Sequence, residues 1–104
     1  MAEVALDLDT ASDPWTLDEA GKLYMRMGEP ELARAAWELF ITYVPKEPYV
    51  YVNLSILTAD TEPEQSGRYL DRARRLYGRN LHMVDRVTET FHRLYLAEDE
   101  AGND

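Results

Sequence analysis

Apolar residues recur at the spacing of an α-helix along most of this chain, and they predict several short helices in succession. Within residues 17–45, one helical face carries Leu17, Ala20, Gly21, Tyr24 and Met27, and a second carries Ala33, Ala36, Trp37, Phe40 and Ile41. The small residues Ala20, Gly21 and Ala33 would let these two helices approach closely. Asp18 falls on the polar side of the first helix, away from this contact.

Capping and turn residues set the predicted ends of the helices. Thr16 with Glu19, and Thr61 with Glu64, match the capping-box pattern that opens a helix. Gly28 and Gly78 are expected to end helices, and Pro30 suits the first turn of the next one. One helix is expected from about 62 to 77. A last helix is expected from a cap at Asn80 to about Ala97, with an apolar stripe at Leu81, Val84, Val87, Thr88, Phe91, Leu94 and Tyr95.

Residues 48–60, PYVYVNLSILTAD, carry conflicting signals. Their β-branched and aromatic residues favour a strand by propensity. However, Pro48 suits the start of a helix, and no second strand nearby could pair with this segment. We therefore predict a helix, and because it is apolar on nearly every side, we expect it to be buried between neighbouring elements.

The first helix pair resembles a known family. Leu17, Ala20, Gly21, Tyr24, Ala33, Trp37 and Pro45 are similar to the tetratricopeptide repeat (TPR) pattern, at the spacing of a repeat of about 34 residues. Leu17 replaces the usual Trp and Ala20 the usual Leu, while Tyr51, Leu54 and Ser55 fall at equivalent positions of a second repeat. The resemblance implies an all-α fold of about two antiparallel helix pairs plus a C-terminal capping helix within residues 15–97.

The resemblance also implies where a partner would bind. In this family the first helix of a repeat lines the surface that holds peptides, and here that helix carries Tyr49, Tyr51, Val52, Asn53 and Ile56. Asn53 sits where peptide-binding members often use an Asn to bond the ligand backbone. The alternative is a buried amide satisfied by local backbone. The family's carboxylate clamp needs a Lys where this chain has Asp18, so no clamp is expected.

Length and composition narrow the class of protein. A chain of 104 residues is expected to form one domain with a modest core. The absence of Cys excludes disulfides, thiolate metal ligands and a Cys nucleophile. No apolar run approaches the roughly 18 residues of a membrane helix, and the N-terminus lacks the features of a signal peptide. We therefore expect a soluble cytoplasmic protein.

The charge is unevenly distributed along the chain. The net charge is -9, yet residues 66–97 carry 3 acids and 7 bases. Within this basic segment, Arg68, Arg72, Arg75 and Arg79 are spaced to share one helix face. This face is either a solvated surface or a dock for an acidic peptide, since Arg binds carboxylates in a bidentate way. Residues 98–104 are expected to form an acidic tail.

Residues 1–14 alternate Val4, Leu6 and Leu8 with acids. They predict either a loose acidic leader or an extended segment that lies in a groove of its own chain or of a neighbour. This leader is itself a candidate acidic peptide for the four arginines.

The sequence offers few candidate metal-binding or catalytic residues. His82, Asp85, Glu89 and His92 form a polar stripe, and the pair Glu89 and His92 occurs in carboxylate-bridged metal proteins, which need two such pairs. A solvated face is therefore the preferred interpretation, and no metal or cofactor is expected. No phosphate-binding loop, nucleophile elbow or zinc-protease motif is present, so the chain is not expected to be an enzyme.

These features favour a protein–protein interaction module, a small TPR-like adaptor or chaperone that holds a peptide or a partner subunit. The alternative is a structural subunit of a homo-oligomer, because arrays of this kind usually need about three repeats to stand alone. Nucleic-acid binding through the Arg-rich helix is not expected, given the negative net charge.

Overall fold

The chain is all-α, as the apolar spacing predicts. The structure is a computed structural model that describes residues 13–96, and within that range it contains five α-helices and no strand. The helices are α1 (Trp15–Arg26), α2 (Pro30–Tyr43), α3 (Pro48–Thr58), α4 (Pro63–Tyr77) and α5 (His82–Phe91). A π-helical turn, His92–Leu96, follows α5. Nearly all of the predicted leader and the whole predicted acidic tail lie outside the described residues.

The chain divides into two compact units, Met1–Glu47 and Pro48–Asp104. In the first unit, α1 and α2 pack against each other. Leu17 on α1 and Ala33, Trp37 and Phe40 on α2 are at most 1 % exposed. The predicted apolar face is confirmed at these positions, but Met27 is 60 % exposed because it lies beyond the end of α1, and Met25 is buried instead.

Gly21 allows a close approach between α1 and the Trp37 side chain of α2, as predicted. A Cβ atom placed on Gly21 would lie only 2.6 Å from Nε1 of Trp37 and 2.8 Å from its Cδ2. Real Cβ atoms essentially never come that close to another heavy atom, so any side chain here would displace the indole.

The prediction that Asp18 lies on the polar side of the first helix is wrong, because its side chain is buried inside the first unit. Asp18 is 2 % exposed, and its Oδ1 accepts a hydrogen bond of 2.9 Å from Nε1 of Trp37. Lys22, one turn further along α1, places its Nζ 3.3 Å from Asp18 Oδ2. The buried carboxylate thus satisfies the indole N–H and has a charged partner at the edge of the core.

Both predicted capping boxes are wrong, although the helices are where the pattern places them. Thr16 lies inside the first turn of α1, and its hydroxyl donates to the backbone oxygen of Asp13. The carboxylate of Asp13 accepts from the backbone N–H of Trp15. Helix α4 begins at Pro63 after Glu62, with no side-chain cap. Asn80 likewise precedes a helix that lacks a side-chain cap.

The predicted glycine stops are confirmed. Gly28 has a φ of 74°, and Gly78 has a φ of 57°. The N–H groups of Gly28 and Glu29 donate to the backbone oxygens of Met25 and Tyr24, at 3.1 and 2.8 Å. These two bonds form a Schellman motif, which satisfies carbonyls at the end of α1.

In the second unit, residues 48–58 form helix α3, so the helical prediction is confirmed against the strand propensity. Its buried residues lie on all sides, as predicted, and they are Val50, Tyr51, Val52, Asn53, Leu54, Ser55 and Thr58. Helices α4 and α5 both pack against α3.

Helix α5 is shorter than predicted. Its α-helical part ends at Phe91, and the π-helical turn completes the predicted length almost to Ala97. Val84 and Phe91 on the predicted stripe are buried, but Leu81 and Leu94 are 51 % and 58 % exposed. The stripe therefore packs at its centre and is exposed at both ends.

Candidate protein-binding surfaces

The predicted partner-binding residues of α3 lie mostly in the interior. Tyr51 is 6 %, Val52 1 % and Asn53 7 % exposed, while Tyr49 and Ile56 are half-buried. Among the described residues, no fully buried side-chain nitrogen or oxygen lacks a hydrogen-bond partner. Most of this helix therefore supports the fold, and its edges are what remain accessible.

Helix α4 presents arginines on its solvent side, opposite the fully buried Ala73. Arg68 and Arg75 are exposed, and Arg72 is half-buried beside α3. The guanidinium carbon of Arg72 lies 5.8 Å from the centre of the Tyr51 ring, which is the geometry of a cation–π contact. Because Tyr51 is itself buried, it holds Arg72 in place.

Arg79 does not share the helix face that its spacing predicts. Helix α4 ends at Tyr77, and Gly78 turns the chain away with its positive φ, so Arg79 is an exposed residue of the following turn. We define the Arg face as Arg68, Arg72 and Arg75, with Arg79 beside it. Within residues 13–96, none of these arginines forms a salt bridge, and Arg68 bonds the amide of Gln65 at 3.1 Å.

The second unit also contains a groove that the sequence did not reveal. It has a volume of about 510 Å³ and lies between α4 and α5, with α3 as its floor. The lining residues are Val52, Ser55, Ile56, Ala59, Asp60, Ser66, Leu70, Arg74, Val84, Asp85, Thr88, His92 and Leu96. Val52 and Ile56, both predicted to bind a partner, belong to this floor. The groove uses a different side of α4 from the Arg face, since Arg74 and Leu70 line it and Arg75 does not.

The hydroxyl groups of the groove are engaged within the protein. Ser66 Oγ donates to the backbone oxygen of Ser55 at 2.7 Å and lies 3.0 Å from its Oγ. Thr88 Oγ1 donates to the backbone oxygen of Val84 at 2.7 Å. With these donors engaged, aliphatic side chains dominate the floor, and charged side chains remain at the rim.

The π-helical turn shapes one end of the groove. His92 and Leu96 both belong to this turn and line the groove, and the Tyr95 ring packs edge-on against Phe91 with centroids 5.0 Å apart. Leu96 remains 44 % exposed. The turn therefore contributes one polar and one apolar side chain to this end of the groove.

The polar stripe of α5 is exposed at all four of its positions, His82, Asp85, Glu89 and His92. In the described range, no three His, Asp or Glu side chains come together in a group that could hold a metal ion. No helix in that range is both long and apolar enough to cross a lipid bilayer.

Comparisons with known proteins identify no relative of this chain. No family model matches the chain, and neither the curated proteins nor the solved structures contain a match.

Proposed function

We propose that this chain is a small TPR-like protein that binds an acidic segment of a partner protein, as an adaptor or chaperone. The observation that carries this proposal is the Arg face of α4. It combines two exposed arginines with a third that packs over Tyr51.

The chemistry of the Arg face favours carboxylates. A guanidinium group donates two parallel hydrogen bonds to a carboxylate, and its planar shape makes this pairing more specific than that of Lys. The contact with Tyr51 fixes Arg72 before any partner arrives, which reduces the entropy lost on binding. Arg68 and Arg75 lie about one turn to either side and would extend the contact along the helix.

The charge of the rest of the chain directs an acidic partner to this face. The net charge is -9, so most of the surface repels an acidic segment, while α4 attracts it. The same net charge opposes nucleic-acid binding, which depends on neutralising many phosphates.

The test is affinity capture from a lysate of the source cell with Arg68→Glu/Arg75→Glu. The matched control is Arg86→Glu/Arg93→Glu, which reverses two exposed arginines at α5 and the turn after it and changes the net charge equally. We expect the first variant to lose the partner and the control to retain it. Both should keep the circular dichroism spectrum of the wild type.

Salt dependence and nuclease treatment show what kind of partner the protein captures. Retention on the wild-type protein should fall as salt rises, because exposed charge pairs are screened. Equal capture by all three proteins would reject the Arg face as the docking surface. Capture that disappears after nuclease treatment would replace the acidic protein segment with nucleic acid.

A further inference from the structure

The groove of the second unit is distinct from the Arg face, because Arg68, Arg72 and Arg75 are not among its lining residues. Two helices, α4 and α5, form its walls and a third, α3, forms its floor. A fourth helix laid between the walls would complete a bundle, with its side chains against Val52, Ile56 and Leu70. Since the nearby Ser and Thr hydroxyls are engaged within the protein, the floor favours apolar side chains of an occupant, while the charged rim favours polar ones.

The two walls carry opposite charges. Arg74 lies on α4 and Asp85 on α5, and both are exposed at the rim. Arg74 has one partner in the described range, Asp71, at 3.8 Å across two exposed side chains. Such a pair contributes little and is easily exchanged for another carboxylate. A groove of this kind is self-complementary, because two copies related by a two-fold axis bring the Arg of each opposite the Asp of the other.

The chain also carries a helix suited to the groove. Asp85 on α5 shares one helical side with Leu81, which directly precedes the helix, and with His92 and Leu96 of the turn that follows it. Leu81 and Leu96 are 51 % and 44 % exposed, so their burial against a partner would be favourable. Leu81 and Leu96 therefore provide an exposed apolar residue at each end of this side, with Asp85 and His92 between them.

We propose that two copies of this chain pair groove to groove, with α5 of each copy lying between α4 and α5 of the other. In this arrangement Arg74 of one copy faces Asp85 of its partner, twice. The Arg faces remain exposed on the outer side of the dimer, where they stay available to an acidic segment. The pairing does not depend on that second role.

Charge exchange in the full chain tests the pairing. The wild type should sediment as a dimer, and Arg74→Asp and Asp85→Arg should each raise the dissociation constant by about tenfold or more, since each places like charges together twice. An equimolar mixture of the two variants should regain the dimer, because every facing pair is again of opposite charge. Arg86→Asp, at an exposed position of α5 outside the groove lining, reverses a charge as Arg74→Asp does and should sediment like the wild type.

Each contrary outcome overturns the pairing. A wild type that stays monomeric at every soluble concentration would do so, and so would a dimer that Arg74→Asp and Asp85→Arg leave intact. Failure of the mixture to regain the dimer would show that Arg74 and Asp85 do not face each other. If the wild type is monomeric while Arg74→Asp alone loses a captured protein, the groove holds a partner's segment in place of a second copy.

Discussion

At the scale of single residues, Gly21 and Trp37 decide how closely α1 and α2 approach. The indole occupies the space that a side chain at Gly21 would need. In a helix, Gly is usually worse than Ala, so its presence here requires a packing reason. The overlap with Trp37 provides that reason.

Gly21→Ala should therefore destabilise the protein by about 1–3 kcal/mol, because the cost of overpacking exceeds the gain in helix propensity. Gly67→Ala is the matched control, since Gly67 lies in α4 with no atom within 4 Å of an added Cβ. It should stabilise the protein by about 0.5–1 kcal/mol. Urea unfolding followed by circular dichroism measures both, and equal effects would contradict the close contact.

Asp18 is the second decisive residue, because it satisfies the indole N–H of Trp37 inside the core. Asp18→Ala should cost about 1–3 kcal/mol, since it removes the buried carboxylate that accepts the hydrogen bond from the indole N–H of Trp37. Asp18→Asn should cost less, because an amide oxygen can still accept this bond. Urea unfolding of the two variants compares them, and equal losses would show that the charge of Asp18 matters more than its hydrogen bond.

The contribution of Glu47 to the stability of the fold depends on pH with the opposite sign from that of most surface carboxylates. Burial and, secondly, the charge of Asp18 raise the pKa of Glu47 above its ordinary value of 4.5. The folded protein thus binds this proton more tightly than the unfolded chain, so Glu47 lowers stability as pH rises from about 4.5 through the raised pKa.

Glu47→Gln should consequently be more stable than the wild type at neutral pH, and the difference should shrink as the pH falls below the raised pKa. Thermal unfolding of both proteins across this pH range provides the measurement. A variant that is less stable than the wild type at neutral pH would show that the Glu47 carboxylate is favourable in the fold.

At the scale of elements, the ends of the helices depend more on backbone conformation than on side-chain caps. The end of α1 is formed by the Schellman bonds of Gly28 and Glu29. Nothing lies within 4 Å of a Cβ added to Gly28, so its positive φ is the constraint on this position.

Gly28→Ala should cost about 1–2 kcal/mol, which is the penalty for left-handed backbone in a residue with a Cβ. Gly28→Asn should cost less, because Asn tolerates this conformation better. Thermal unfolding ranks the two variants, and the reverse order would contradict the backbone explanation.

At the scale of the whole molecule, exposed leucines mark the apolar surface that is available to a partner. Leu94 and Leu96 are neighbours in the π-helical turn and are 58 % and 44 % exposed, but only Leu96 lines the groove. This difference makes them a matched pair for testing whether the groove is an interface.

Leu96→Glu should weaken self-association by about tenfold or more, because it places a charge in a groove with an apolar floor, whereas Leu94→Glu should have little effect. Sedimentation equilibrium of the two variants measures the difference. If Leu94→Glu has the larger effect, the copies meet on the other side of the turn.

The sequence by itself determined the number and type of the elements, because helical periodicity, proline starts and glycine stops are local signals. It placed α3 correctly, since the absence of a pairing strand outweighed the β propensity of its residues. It also predicted the contact of Gly21 with its neighbours in α2, because small residues at helical spacing indicate close packing.

Only the tertiary structure decided the role of Asp18 and the groove. In the sequence, Asp18 lies at the edge of an apolar stripe and is therefore predicted to be on the polar surface. Its partner Trp37 is nineteen positions along the chain, and only folding brings the two side chains together. The groove needs three helices at once, and spacing along one helix says nothing about the space between them. Local pattern fixes which residues share a face, whereas long-range packing fixes what that face meets.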